Sequence, residues 1–442
     1  MNRSLRMAAF LVLVLTAITF FAQKAGAIDK IVSSGSINLE HKNEIKTRGI
    51  VFLQNGGLWL TDKDLKGKKK LTDEITIKEF YFSPDHKEIF YLKADGIWKM
   101  GMEGGKKIAL AAEPTIVTFS ISPNGKYLVY EKQDARIPAP LSGKDYKADV
   151  TRIWIMKSDG TGKFKVTTPF KKTDSVHSAK WLPDSRGILI YPTDLYEGWA
   201  ETFADKDYYV AGVDGKDPQK YNVLGELQKR PESEISFELY FSPTGRDVAF
   251  IPRGKSGELW LSDVNGNDRK IIYRAEGTYL DIWQWSEDGE EMIVERIVPY
   301  KGRFYMGLNK CGEILFEISP GWFPSEIVLS PDKRYLAIAQ TPSAYGIKNS
   351  YHDRDRIVIY DTLTRKIKEL IPELPEISPE KSYLHVGNLV FSRDNKLFYN
   401  VTCGYYLKGI SETLPQLWVI DTDKWKSYYL ENNVSKTKRA EF

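Results

Sequence analysis

Short apolar runs alternate with tight-turn sequences along most of the chain. Seven turns of similar composition begin at Ser83, Ser122, Leu182, Ser242, Ser286, Ser330 and Ser392. They are rich in Pro, Asp, Asn and Gly, which favour tight turns. The residues one and three positions before each turn are apolar in every copy. Because a spacing of two places side chains on one face of a strand, each turn is predicted to follow a β-strand.

Two more strands are predicted after each turn. The segments that follow the turns are IFYL, YLVY, ILIY, VAFI, MIVE, YLAI and LFYN, which is typical of strands buried on both faces. A third strand carries an apolar or aromatic pair such as Ile97-Trp98 or Leu259-Trp260, and Leu58-Trp59 provides an eighth copy before the first turn. A polar hairpin and a more variable fourth strand follow in most copies. We interpret the aromatic columns as packing between sheets rather than as a cofactor site.

Four short antiparallel strands, repeated at roughly 40 to 60 residues, are typical of a β-propeller. We therefore predict an all-β fold, a β-propeller of four-stranded antiparallel blades. Eight third strands against seven turns favour eight blades, and seven blades with a packed N-terminal extension is the alternative. The propeller is assigned to residues 49–431. Residues 28–48 are expected to supply the missing strand of the first blade, through 31–40, and residues 432–442 to form a polar, frayed tail.

The repeats resemble the WD-like repeat of the TolB C-terminal propeller. The resemblance rests on FYFSPDHKEIFYL with GIWKM, on SISPNGKYLVY with RIWIMKSDGTG, and on YFSPTGRDVAFI with ELWLSDVNGN. It covers residues 49–431 and implies a TolB-like propeller fold, and it is weak for function. TolB has an additional α/β domain before its propeller, whereas here only about twenty residues separate the first 27 residues from the repeats. The resemblance therefore implies a propeller alone.

The first 27 residues have the pattern of a secretory signal peptide. Arg3 and Arg6 form a short basic region, residues 7–21 are almost wholly apolar, and residues 25–27 (AGA) supply small side chains for a signal peptidase. We expect cleavage after residue 27 and a periplasmic or secreted protein. An uncleaved membrane anchor is the alternative, and no later stretch approaches the apolar length of a membrane span.

Charge and cysteine content exclude several classes of protein. Removal of residues 1–27 takes away three basic residues and no acid, so 60 Lys and Arg remain against 59 Asp and Glu. This balance gives no general attraction to nucleic acid or to anionic membranes. The two cysteines, Cys311 and Cys403, occupy different positions in their repeats, so no disulfide framework is expected and their pairing is left open.

Four connections between second and third strands are longer than ordinary hairpin loops. They span residues 131–150, 192–207, 341–356 and 402–415, and the repeat places all of them at the same end of their sheets. Long loops on a rigid scaffold often bind partners, and Tyr, Trp and Arg dominate interface hot spots. The candidate residues of this binding face are Arg136, Tyr146, Tyr196, Trp199, Tyr345, Tyr351, His352, Asp353, Arg354, Tyr405 and Tyr406. The alternative is that the insertions only pack against the rim.

These features favour a non-enzymatic binding or scaffold module for a protein or peptide partner in the cell envelope, or for a glycan. We expect a monomer without cofactor, metal or catalytic residues, since the sequence lacks G-x-S-x-G, H-E-x-x-H, C-x-x-C and phosphate-loop motifs. The HDRDR run (352–356) is more simply a self-neutralising loop. The alternative function is a propeller lyase or hydrolase acting on an extracellular polysaccharide, with or without a metal. His177, His352 and His385 are the candidate ligands if a metal is bound.

Overall fold

A computed structural model describes most of the repeat region. The described residues are 47–61, 67–138, 147–168, 177–192, 208–221, 237–252, 257–319, 321, 323–341, 355–370, 382–405, 416–422, 425–432 and 434–441. Within these ranges all regular elements are β-strands, thirty-two in number, and they form eight four-stranded antiparallel sheets. The predicted fold class is confirmed: the sheets are the blades of an eight-bladed β-propeller.

The chain divides into two compact units. One unit contains blades 3 and 4, within Thr115–Ser236. Blade 3 consists of β8 (Ile116–Ile121), β9 (Tyr127–Pro138), β10 (Lys147–Lys157) and β11 (Phe164–Lys165). Blade 4 consists of β12 (His177–Trp181), β13 (Gly187–Pro192), β14 (Tyr209–Gly212) and β15 (Gln219–Lys220). In both blades the strands lie side by side in chain order, as expected for consecutive hairpins.

The other unit contains blades 1, 2 and 5–8, within Asn38–Pro114 and Phe237–Phe442. Blade 1 consists of β1 (Thr47–Gln54), β2 (Gly57–Thr61), β3 (Lys68–Lys70) and β32 (Val434–Glu441), and blade 2 of β4 (Glu79–Phe82), β5 (Glu88–Lys93), β6 (Gly96–Gly101) and β7 (Ile108–Ala111). Blade 5 consists of β16 (Phe237–Phe241), β17 (Asp247–Pro252), β18 (Glu258–Asp263) and β19 (Lys270–Arg274), and blade 6 of β20 (Tyr279–Trp285), β21 (Glu291–Val298), β22 (Gly302–Asn309) and β23 (Ile314–Ile318). Blade 7 consists of β24 (Phe323–Leu329), β25 (Tyr335–Thr341), β26 (Arg356–Asp361) and β27 (Ile367–Leu370), and blade 8 of β28 (Ser382–Phe391), β29 (Leu397–Tyr405), β30 (Gln416–Asp421) and β31 (Lys426–Asn432).

The C-terminal segment completes blade 1, which corrects the expectation of a frayed tail. We expected a frayed tail at 432–442 and a contribution from residues 31–40. Instead β32 pairs antiparallel with β1 from Thr47↔Glu441 to Gln54↔Val434. The physical reason is the edge that β1 would otherwise expose, because an unpaired strand leaves a row of backbone N–H and C=O groups without partners. The 31–40 segment lies outside the described residues.

The core lies between neighbouring blades, as the burial argument for a propeller requires. Val51, Leu53 and Leu58 of blade 1 pack with Phe80 and Tyr91 of blade 2 in one buried cluster. Equivalent clusters lie between blades 3 and 4, 5 and 6, 6 and 7, 7 and 8, and 8 and 1.

Aromatic residues of the third-strand column also stack on rings within their own blade. Tyr130 stacks on Trp154 and Phe250 on Trp260, each with ring centroids 6.1 to 6.3 Å apart at 19°. The members of each pair face one another across the second and third strands of a blade. These rings therefore contribute to the stability of their sheets.

The repeated Ser turns have one shared geometry. Ser330 Oγ donates to Asp332 Oδ1 at 2.6 Å and accepts from the backbone N–H of Tyr335 at 2.8 Å. The same serine-to-carboxylate bond is present in the turns that begin at residues 83, 286 and 392. The fourth residue of the turn has a left-handed φ, for example 70° at Gly289 and 64° at Lys333. A side chain at Gly289 would also meet the side chain of Thr244, 3.0 Å from the position of a Cβ.

Side-chain contacts link the turn of blade 7 to blade 6, and the turn of blade 8 to the turn of blade 7. Lys333 Nζ in blade 7 bonds Asp288 Oδ2 at 2.6 Å and Glu291 Oε1 at 2.8 Å, both in blade 6. Asn395 Nδ2 in blade 8 donates to Asp332 Oδ2 in blade 7 at 2.7 Å. The turn motif therefore links neighbouring blades as well as shaping each hairpin.

The carboxylates of these turns predict an acid-sensitive stability. Burial raises the pKa of Asp332, but hydrogen bonds from Ser330 and Asn395 outweigh it, so that the net pKa lies below the ordinary value. The pKa values of Asp288 and Asp394 are also lowered, because hydrogen bonds from a lysine and from the turn serine outweigh the effect of burial. A carboxyl with a lowered folded pKa stabilises the fold above its unfolded pKa, and this stabilisation is lost as pH falls through the folded value.

We therefore expect the thermal midpoint to fall as pH drops below about 4. The Asp332→Asn variant should have a lower thermal midpoint at neutral pH. Its midpoint should also fall less steeply as the pH drops, because it has one fewer carboxylate to protonate. Differential scanning calorimetry between neutral and acidic pH measures both effects. An equal pH slope in the variant and the native chain would contradict the assignment.

Candidate functional site

Blades 2–8 each have two distinct ends. The turn end carries the repeated turn between the first and second strands, which begins with Ser in every one of these blades except blade 4. We call the opposite end, where the second strand passes into the third, the loop end. In blade 3 the long connection is shorter than predicted, because β9 continues to Pro138 and β10 begins at Lys147. Similarly, β29 of blade 8 continues to Tyr405. Much of the predicted 131–150 loop is thus an extended hairpin, since its backbone groups pair with one another.

The predicted binding residues lie largely outside the described part of the chain. Arg136 lies in β9 opposite Asp149, and Tyr405 lies in β29 opposite Ser382, by strand register. The side chains of both lie outside the description. Nine others fall outside the described residues altogether: Tyr146, Tyr196, Trp199, Tyr345, Tyr351, His352, Asp353, Arg354 and Tyr406. Their role in binding stays a prediction.

A histidine and a buried carboxylate are paired at the loop end of blades 7 and 8. The Asp355 side chain is 4% exposed, and its Oδ2 lies 2.7 Å from Nδ1 of His385. The same oxygen accepts from the backbone N–H of Val386 at 3.0 Å, and Asp355 N donates to Leu384 O. These bonds join the start of β26 to the first strand of blade 8. The His385 side chain remains 48% exposed.

Arg356 holds the other side of the same loop. Its Nε donates to Gln340 Oε1 at 3.1 Å, and one terminal nitrogen donates to Glu369 Oε2 at 2.6 Å. Gln340 and Arg356 are both buried and face each other in the register of β25 and β26. A planar guanidinium suits two such acceptors at once. The connection between Thr341 and Asp355 therefore starts and ends on fixed side chains.

A second buried charge lies in blade 6. Glu295 is 1% exposed in β21 and accepts hydrogen bonds from Arg303 at 2.7 Å, Tyr305 Oη at 3.1 Å and Trp283 Nε1 at 3.3 Å. Burial raises the pKa of Tyr305 far above its usual range and Glu295 adds to this, with partial opposition from Arg303. Tyr305 is thus a neutral donor. The network fixes the base of the β21–β22 hairpin.

The tip of this hairpin presents an exposed aromatic ring. Tyr300 lies between β21 and β22, with a left-handed φ of 63° and full exposure to solvent. Tyr279 at the first residue of β20 is 53% exposed and faces Ile297 in the register. Both rings lie at the loop end of blade 6, above the Glu295 network. Exposed rings on a rigid base are suited to contact a partner.

The histidine pair has a defined chemical capacity. With Nδ1 held by a carboxylate, the other ring nitrogen of His385 is the one available to accept a proton or to bind a metal. Among the described residues no group of three or more His, Cys, Asp or Glu side chains is arranged to hold a metal. His177 lies in β12 with its side chain outside the description, and His352 is not described. The predicted three-histidine site is therefore not tested.

Sequence reasoning missed the buried polar residues of this region. Glu295 ends the segment MIVE, where five of the other six copies have an apolar or aromatic residue, and this break was the available signal. Asp355 had no such signal, because it follows Asp353 and Arg354 in a uniformly charged run. Its burial depends on β28, which is distant in sequence.

Among the comparisons with known proteins, the one with solved structures supports the fold. The chain matches no protein-family model and no curated protein sequence. Its fold is similar to that of a eukaryotic initiation factor, with a TM-score of 0.53 at 12% identity over 89% of this chain and 99% of that one. The fold is also similar to that of a prolyl endopeptidase, with a TM-score of 0.53 at 12% sequence identity over 82% of this chain and 50% of that one. An oligogalacturonate lyase in complex with manganese is similar as well, with a TM-score of 0.50 at 13% sequence identity over 86% of this chain and 98% of that one.

The class of protein is thus a β-propeller. TolB from Acinetobacter baumannii is also similar, at a TM-score of 0.34 and 14% identity over 75% of this chain and 64% of that one, which is too low to assign the TolB family. The neighbours differ in function, so their likeness shows the architecture and does not select an activity. Within the described residues no helix is long and apolar enough to cross a membrane.

Proposed function

We propose that the chain is an exported, periplasmic or secreted β-propeller that binds a protein or peptide partner of the cell envelope without catalysing a reaction. The loop end is the binding surface. The observation that carries the proposal is the full exposure of Tyr300 on a hairpin whose base is fixed by the buried Glu295–Arg303 pair. A rigid base lowers the entropy lost on binding, and an exposed tyrosine supplies contact area.

Export is supported by the sequence of residues 1–27 alone. The basic start, the apolar run and the small residues before residue 28 are those that a signal peptidase reads. N-terminal sequencing of the protein from its own cells tests this directly. A mature chain that begins at Ile28 is expected, and an intact Met1 in an envelope fraction would identify the segment as an anchor.

Position-specific crosslinking tests the loop end. A photoreactive amino acid replaces Tyr300 in one protein and Glu290, an exposed residue at the turn end of the same blade, in another. Both are activated in the envelope of the source cells. The proposal expects defined adducts from position 300 and none from position 290. It also expects these adducts to disappear when Tyr146, Trp199, Tyr345 and Tyr406 are changed to Ala.

Two results would overturn the loop-end assignment. Adducts of equal yield from both positions would show that contact does not depend on this end of the blade. Adducts from position 300 that persist in the fourfold alanine variant would remove the long loops from the binding surface. The absence of adducts at both positions would contradict the binding function itself.

A second candidate function rests on the His385–Asp355 pair. A half-exposed histidine whose Nδ1 is held by a buried carboxylate is an arrangement that enzymes use for proton transfer and metal binding. The candidate is a lyase or hydrolase acting on an extracellular polysaccharide, with or without a metal. Oligogalacturonate is the first substrate to try, because a lyase with that substrate shares the propeller fold.

Incubation of the mature protein with oligogalacturonate, with Mn²⁺ or with EDTA, tests this candidate. Formation of an unsaturated product that is lost in His385→Gln, at unchanged thermal midpoint, would favour the enzyme over the binding module. The binding proposal expects no product in either condition.

A further inference from the structure

The outer edges of the blades differ in how they are protected. The fourth strand of blades 2–8, and β3 in blade 1, lies at the edge of its sheet and pairs on one side only within the described strands. Lysine occurs in six of these eight edge strands: β3, β11, β15, β19, β27 and β31. Lysine on an edge discourages pairing with another chain. β7 (IALA) and β23 (ILFEI) have none.

β23 borders an open groove. The groove has a volume of about 610 Å³ and is lined by β23 with Ser319 on one side and by Tyr360, Arg365 and Ile367 of blade 7 on the other. Apolar side chains remain exposed on both walls: Ile314 at 46%, Leu315 at 37% and Ile367 at 51%. Five residues of β23 offer an edge of about 17 Å, which is enough for one short extended segment.

The charges along the groove favour an acidic occupant. Glu317 is the acidic residue of the lining, and Arg296 of β21 already pairs with it at 2.7 Å. Arg365 has no ion-pair partner among the described residues and lies in the turn between β26 and β27. A bound segment would therefore meet uncompensated positive charge at the blade 7 side.

We propose that this groove binds an extended acidic peptide, which adds a fifth strand to blade 6 along β23. The backbone of the peptide would bond the free edge of β23, its alternate apolar side chains would contact Leu315 and Ile367, and an acidic residue would pair with Arg365. The site is separate from the loop end, because β23 is the outermost strand of the blade and Tyr300 lies between its second and third strands.

Fluorescence anisotropy with a synthetic peptide tests the proposal. The probe is a labelled octapeptide that alternates valine and serine and ends in two aspartates. The matched control peptide has two lysines in their place. We expect saturable binding of the acidic peptide and about tenfold weaker binding of the basic one.

Variants at two edges locate the site. Leu315→Lys places on β23 a lysine of the kind that protects the other edge strands. We expect it to weaken the binding of the acidic peptide by about tenfold. Ile108→Lys is the matched control, because Ile108 is 40% exposed on β7. It should leave binding within about twofold. Arg365→Glu should reverse the preference between the two peptides. Thermal midpoints of all three variants establish that they are folded.

The overturning results are specific. Absence of saturable binding, equal affinity for the two peptides, or an unchanged affinity in Leu315→Lys would each refute the acidic-peptide site. A concentration-dependent dimer that Leu315→Lys abolishes, measured by sedimentation, would identify a second copy of the chain as the occupant and also refute it. None of these results bears on crosslinking from position 300, so the binding function of the loop end is tested independently of the groove.

Discussion

Removal of residues 434–442 is expected to destabilise blade 1 by on the order of 5 kcal/mol, since the backbone bonds of seven register pairs would be lost. β1 would then present an unpaired edge. Its residues Ile50, Val51, Phe52 and Leu53 are each at most 1% exposed in the intact protein. Ile50 and Phe52 belong to the cluster between blades 8 and 1. The truncated chain should therefore both melt earlier and aggregate.

Urea unfolding followed by tryptophan fluorescence and light scattering measures both effects. A synthetic peptide of residues 434–442, added in excess, should restore the midpoint, whereas a scrambled peptide should not. Deletion of residue 442 alone is the control, because β32 ends at Glu441. A truncated chain with an unchanged midpoint would show that the pairing of β1 with β32 contributes little.

The change Arg303→Met is expected to cost about 3 to 5 kcal/mol, because it leaves the Glu295 carboxylate buried without its cation. Glu295 is 1% exposed and Arg303 22% exposed at their side chains, so water cannot replace the lost partner fully. Tyr305 and Trp283 would still donate to Glu295, which limits the loss. The apparent free energy of unfolding, from a denaturant titration, measures it.

Two variants separate the buried pair from a general effect of losing charge. Lys69→Met breaks the Lys69–Glu103 pair, in which both side chains are more than half exposed, and should cost about 1 kcal/mol or less. The double variant Glu295→Leu with Arg303→Met should recover part of the loss, because no charge is then buried alone. A loss in Arg303→Met equal to that in Lys69→Met would refute the role of burial.

The apolar columns were sufficient to predict the blades. A period of two before each Ser turn and a continuous apolar run after it describe a strand, a turn and a buried strand in purely local terms. The count of eight third strands, including Leu58-Trp59, favoured eight blades, and the sheets confirm it. The turn residues themselves matched their geometry, as at Gly289 and Asn395, where φ is left-handed.

The features that sequence did not predict depend on contacts between distant segments. β32 has the sequence VSKTKRAE, which shows no apolar alternation, so its place beside β1 follows from the edge it covers and not from its own pattern. Asp355 is buried because Leu384 and Val386 of β28 bond to it. A local pattern contains no information about either partner. The roles of the aromatic residues in the four long loops stay predictions, since none of their side chains is described.

The pairing of β1 with β32 also sets the order in which the protein can be completed during its synthesis. The two strands are separated by nearly the whole chain, from Gln54 to Val434. At about 5 to 20 residues per second, ribosomes need on the order of tens of seconds to make the intervening segment. Throughout this time the apolar β1 lacks its partner. A nascent chain is therefore exposed to mispairing until its last strand emerges, and a factor that shields the first hairpin would act in this interval.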